Sequence, residues 1–187
     1  MKQYASDIAF TESVKAIQTR HGSRNSYARV EKNWWPDRIT PELANFVLER
    51  DSFYMATVNG EGQPYIQHRG GSKGFLKVLD ERTLGFADFR GNRQYISYGN
   101  LEENNKVCLF LMDYPNRIRI KIWGTAEVSE DDQALINQLS VSGYQGKAER
   151  AFIIRVETWD KNCPQHITPR YTIDEIRELD ENQGRFD

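Results

Sequence analysis

Within Asn116 to Gly124, apolar and polar residues alternate without a break from Arg117 to Ile122, with Ile118, Ile120 and Ile122 on one parity and Arg117, Arg119 and Lys121 on the other. Period two is the signature of a strand with one face in a core, so this segment predicts a strand carrying a row of positive charge on its far face. Shorter β-rich runs cover 53–59, 63–68, 75–79, 83–87, 107–112 and 152–158; with the run over 118–128 they make seven candidate strands. Asn59-Gly60-Glu61-Gly62 and Asp80-Glu81-Arg82 are tight-turn signals that pair their flanking runs antiparallel. The pattern predicts a mainly β protein, a small antiparallel barrel with peripheral helices.

Helical spacing interrupts the strands in few places. Val14 and Ile17 stand three apart behind a candidate Thr11 cap, and Thr40-Pro41-Glu42 opens a helix whose stripe is Leu43, Phe46 and Val47. Helices are also predicted over 92–101 and 129–139, and Ile173, Ile176 and Leu179 mark a short terminal helix or frayed tail. The reading divides the chain into an N-terminal arm over 1–39, a barrel domain over 40–171 and a tail over 172–187. Within the arm, Trp34 and Trp35 precede a proline that keeps them out of a helix, and they need a surface to bury against.

Composition narrows the classes. A chain of 187 residues suits one core, and 27 acidic against 25 basic side chains give a net charge of −2, too small for a global field that would gather nucleic acid. Cys108 and Cys163 cannot build a disulfide framework, which points to a reducing compartment. The first ten residues lack an apolar signal segment and no stretch approaches the ~18 apolar residues of a membrane span, so the expectation is a cytoplasmic protein without membrane contact.

Three stretches carry candidate chemistry. In Phe86-Ala87-Asp88-Phe89-Arg90-Gly91-Asn92-Arg93-Gln94 a strand turns through a Gly-Asn elbow toward a predicted helix, where free N–H groups and Arg93 can hold a phosphate; the same elbow also reads as an ordinary turn with a solvated arginine. In Arg69-Gly70-Gly71-Ser72-Lys73-Gly74-Phe75-Leu76-Lys77 the glycines allow close backbone approach and Ser72, Lys73 and Lys77 supply donors, although a plain hairpin loop explains them as well. The row Arg117, Arg119, Lys121 faces either a ligand or solvent on an edge strand. Cys163 and His166 are too few to hold a metal, and the chain has no GxSxG, HExxH, Walker or Rossmann motif. His68, His166 and Tyr171 are polar candidates without a partner legible in sequence, so no catalytic residue is assigned.

From about Leu43 to Arg170 the order of these pieces resembles the pyridoxamine 5′-phosphate oxidase-like family of FMN-binding split barrels. The resemblance is carried by the strand pair around Asn59, the Phe75–Phe86 run, Gly91-Asn-Arg-Gln, Asn100-Leu-Glu-Glu-Asn-Asn-Lys-Val and Trp123-Gly-Thr-Ala-Glu-Val. It implies a homodimer with FMN in clefts between the subunits. Residue by residue, it implies that Ser72, Lys73, Gly74, Phe75, Leu76 and Lys77 lead through the phosphate-binding lysine, with Lys77 in that position, and that Ala87 and Asp88 follow on the next strand. The family's phosphate clamp falls on Arg93 and Gln94, the second positive charge being replaced by an amide. Arg119, Trp159 and Arg170 fall on positions that reach across the dimer. The loop Asn162-Cys163-Pro164-Gln165-His166 departs from the arginine-and-histidine loop of the true oxidases, so the resemblance implies a related flavoprotein rather than the vitamin enzyme. The expected function is that of an FMN-dependent oxidoreductase acting on an unidentified small molecule, with a nicotinamide as a candidate donor. A non-catalytic flavin-binding redox sensor or carrier, and a split-barrel binder of haem or deazaflavin, are the alternatives. The arm with its tryptophans is a candidate cover for the flavin cleft.

Overall fold

The structure is a computed structural model that describes residues 4–33, 35–141, 143, 146–162 and 164–183. Trp34 and Cys163, both singled out above, lie outside the described residues. Seven antiparallel strands form one sheet: β1 (Ser52–Val58), β2 (Pro64–Gly70), β3 (Lys77–Asp80), β4 (Thr83–Phe89), β5 (Lys106–Asp113), β6 (Ile118–Ser129) and β7 (Ala148–Asn162), in the order β2-β1-β5-β6-β7-β4-β3. All seven strands expected from the sequence are present.

Alternation sets the two faces. The rung Met55, Leu109, Ile122 and Trp159 points inward, and the next rung, Ala56, Cys108, Trp123 and Thr158, points outward. Met55, Leu109 and Ile122 are fully buried and Trp159 is nearly so. Ridges of this kind and the ring cluster Phe53, Phe75, Phe86 and Phe152 fill the barrel. At the β6–β7 register shift Gly124 is obligatory, since a Cβ there would overlap the carbonyl of Arg155.

The barrel is split. β2 and β4 carry no ladder to each other, yet Arg69 of β2 donates to Asp88 of β4 at 2.5 Å and lies over the Phe86 and Phe152 rings. Side chains close the wall there instead of main-chain hydrogen bonds.

Helices decorate this frame: α1 (Glu12–Arg20), α2 (Arg24–Asn33), α3 (Pro41–Leu48), α4 (Ile96–Glu103), α5 (Gln133–Leu139) and α6 (Ile173–Gln183). Thr11 and Thr40 cap α1 and α3 as their sequences predict, accepting from Val14 and Leu43 at 3.3 Å each. The helix expected from Asn92 starts only at Ile96, because Arg93 and Tyr95 adopt left-handed φ angles of 59° and 55°. α2 is not legible in the sequence pattern: it is polar nearly all round, and its buried residue is Glu31. The arm packs on the outer face of the sheet through a chain of rings, Tyr27 to Phe10 to Trp35 to Trp123. Among the described residues no helix is long and apolar enough to cross a membrane.

Candidate phosphate cleft at the barrel split

The elbow between β4 and α4 lies against the split. Gly91–Tyr95 turns through two left-handed non-glycine residues, a conformation that costs energy and clusters at functional sites. Asn92 Oδ1 accepts from the Gln94 N–H at 3.2 Å and holds the turn. No side chain caps α4, whose first internal bond runs from the Gly99 N–H to the Tyr95 carbonyl. The N–H groups of Ile96, Ser97 and Tyr98 therefore precede the helical ladder at its positive end. α4 is held in place by Asn100, which donates to buried Thr57 at 2.9 Å, and by Ser97, which donates to Gln67 at 3.0 Å.

Three arginines meet this loop. Arg150 of β7 is 9% exposed at its side chain; it bonds Asp88 at 2.9 Å, Glu130 at 3.1 Å and Glu149 at 3.3 Å, and lies over the Tyr95 and Tyr98 rings. Arg69 reaches the same Asp88 carboxylate from the other side, and its buried Nε–H has no acceptor among the described residues. Arg93 is half exposed, 3.6 Å from Glu149. Burial pulls the Arg69 guanidinium below its ordinary value against the attraction of Asp88. Arg150 is also stripped of water, but Asp88 and Glu130 hold it above its ordinary value.

The groove falls into two lobes on either side of the Arg69–Asp88 bridge. One, about 70 Å³, is lined by Tyr65, Gln67, Arg69, Arg150 and the Gly91–Tyr98 loop; the other, about 160 Å³, by His68, Phe75, Ala87 and Phe89 among others. The first has three arginines against Asp88 and Glu149, a net surplus of one positive charge. It accommodates a group of phosphate size, while whole drug-sized ligands occupy roughly 300–1,000 Å³.

Of the residues expected at the site, the structure brings Asp88, Arg93 and Gln94 together in the first lobe and Phe75 and Ala87 to the second. The rest are elsewhere. Leu76 is fully buried in the core. Lys77 donates to the Gln138 and Ser140 carbonyls at 2.7 and 3.3 Å, neutralising the C-terminal end of α5. Gly74, at φ 75°, turns the chain by donating to the Arg50 carbonyl, Lys73 is mostly exposed 4.0 Å from Glu49, and the Ser72 carbonyl accepts from the Phe75 N–H. Trp159 is 4% exposed on the inner face, its indole N–H given to the Arg38 carbonyl at 3.0 Å. Arg119 lies on the outer face of β6, and Arg170 stacks over Tyr114 at 4.9 Å, beside a separate cavity of about 480 Å³ that Lys73 also lines. Among the described residues, none of the arm lines either lobe of the groove. Among the described residues, no three His, Cys, Asp or Glu side chains come together to hold a metal ion.

An antiparallel barrel opened along one seam is the architecture of a split barrel. The family model "Pyridoxamine 5′-phosphate oxidase" matches residues 39–163, more than half of the chain, and the chain belongs to this family. No curated protein matches it. Among solved structures it is similar to Group A Streptococcus HupZ, with a TM-score of 0.54 and 21% identity over 71% of this chain and 99% of that one. It is also similar to a protein of the pyridoxinephosphate oxidase family related to general stress protein 26, from Clostridium acetobutylicum (TM-score 0.50, 20% identity, 72% and 94% covered). An FMN-binding protein from Syntrophomonas wolfei shares 11% identity at a TM-score of 0.51, with 78% and 97% covered. At these identities the likeness concerns the fold.

Proposed function

We propose that the chain binds FMN, with the phosphate in the first lobe of the split, and that it works as a homodimeric oxidoreductase on a small molecule. The observation that carries this reading is the meeting of a left-handed loop, an uncapped helix start and three arginines in a chain of this family. The residues fit the group. The orphaned Nε–H of Arg69 is a buried donor that lacks an acceptor, and a phosphate oxygen supplies one. Arg69, Arg93 and Arg150, with the N–H groups at the start of α4, would hold the ester; the first and last take the part that the family resemblance implied for Lys77. Bound FMN supplies the redox chemistry, accepting and passing on a hydride or electrons. The protein's part is to fix the ester, keep Arg69 and Arg150 stacked in place on Phe86, Phe152, Tyr95 and Tyr98, and exclude water from the split.

The lobe has no room for the flavin ring, which favours a site completed by a second copy. The outer face of β2, β1 and β5 supports this, with Ile66 63% exposed, Tyr54 39% exposed and Cys108, Phe110 and Met112 half-buried beside them. Burial raises the Cys108 thiol, so on this face it stays protonated and apolar at neutral pH. The test is a fluorescence titration of the apo-protein with FMN. Arg69→Met and Arg93→Ala are each expected to weaken binding by about 1.5–3 kcal/mol, the loss of a charge-assisted contact. Equal FMN affinity in both variants and the parent would refute the cleft. Bleaching of the bound flavin by a nicotinamide, followed by reoxidation with an acceptor, separates an enzyme from a carrier.

A further inference from the structure

We propose that α6 is an exchanged strap that docks its apolar stripe on the outer sheet face of a second copy of this chain. The proposal rests on the homodimer reading and extends it to a segment outside the family match.

α6 is well started and poorly housed. Thr172 and Glu175 form a reciprocal cap, the Glu175 N–H giving to Thr172 Oγ1 at 3.2 Å and the Thr172 N–H to Glu175 Oε2 at 2.7 Å. Ile173, Ile176 and Leu179, three residues apart, share one side of the helix and are 70%, 47% and 45% exposed. A lone helix of 11 residues is marginal in water, and its stability must come from a surface laid against that stripe. Its own chain does not provide one among the described residues.

Charge selects the surface. α6 has five acidic residues against Arg177 alone. The outer face of the sheet offers the opposite pattern: Arg119 and Lys121 of β6 stand beside half-buried Met112 and Phe110 of β5, and exposed Arg117 lies at the turn before them. Asp160 of β7 stands directly opposite Lys121, and burial raises it above its ordinary value, with Lys121 opposing, so Arg119 and Arg117 carry the surplus of positive charge. A two-fold axis lets each copy give its helix and receive the other's, closing the assembly.

The experiment is sedimentation velocity of the full chain across a dilution series, with FMN content read on the same samples. In the triple variant Ile173→Ser, Ile176→Ser, Leu179→Ser the dimer Kd is expected to rise at least about tenfold, and Glu178→Lys with Glu181→Lys should weaken the dimer and flatten its salt dependence. Far-UV circular dichroism guards against misfolding, since the stripe touches none of the barrel core. A dimer of unchanged Kd in the triple variant overturns the strap while leaving the homodimer standing. A parent that stays monomeric at every concentration overturns the homodimer and the strap together, and FMN bound by that monomer would leave the cleft intact.

Discussion

Replacing Asp88 with asparagine should make the folded protein weaker and its anion cleft stronger. The carboxylate joins Arg69 and Arg150, whose side chains are 11% and 9% exposed, so its charge is the main compensation for two guanidiniums stripped of water. Breaking a buried pair costs about 3–5 kcal/mol. Asparagine keeps one acceptor, and Arg150 keeps Glu130 and Glu149, so the low end, about 3 kcal/mol, is expected. At about 2–4 °C per kcal/mol for a chain of this size, the apo-protein should melt about 6–12 °C lower. The sign reverses for an anion. At an effective dielectric near 20, removing one negative charge roughly 6 Å away relieves about 2–3 kcal/mol of repulsion per unit charge. Tyr95, Tyr98, Phe86 and Phe152 keep the two guanidiniums stacked in place. Inorganic phosphate should therefore bind Asp88→Asn at least about fivefold more tightly than the parent, measured by calorimetry at low ionic strength, and raise its melting temperature further. A variant that loses stability and phosphate affinity together would refute the reasoning, because Asp88 would then serve the anion rather than compete with it.

Lys77→Met should lower stability by about 1 kcal/mol in urea unfolding, by freeing the last carbonyls of α5, and leave FMN affinity unchanged; a loss of FMN binding would return Lys77 to the phosphate. Gly124→Ala should be among the most damaging single substitutions, costing about 3 kcal/mol or more, since the new Cβ meets the Arg155 carbonyl at the β6–β7 bulge. A urea midpoint equal to the parent's would show that the bulge yields.

The sheet was legible because its rule is local. Ile118, Ile120 and Ile122 declare a strand without knowledge of any partner, and Thr11 and Thr40 announce their helices within three residues. The elbow at Gly91 was legible for the same reason. Arg69 and Arg150 were not, because they reach Asp88 from 19 and 62 residues away, and their meeting depends on how β2 and β7 are laid against β4. In sequence each is one arginine among charged neighbours. The contact of Lys77 was hidden for the same reason: a lysine's reach is long, and the helix end it bonds lies 61 residues further on. The left-handed angles at Arg93 and Tyr95 carried no signal, since neither residue favours them.

A wall clasped by one ion bridge, where its neighbours are stitched by main-chain ladders, gives the barrel a seam that answers to its contents. The clasp is sheltered, so salt reaches it weakly, whereas a doubly charged guest in the split would act on both guanidiniums directly. Occupancy would then be felt as stiffness in β2, an outermost strand that carries the exposed Ile66.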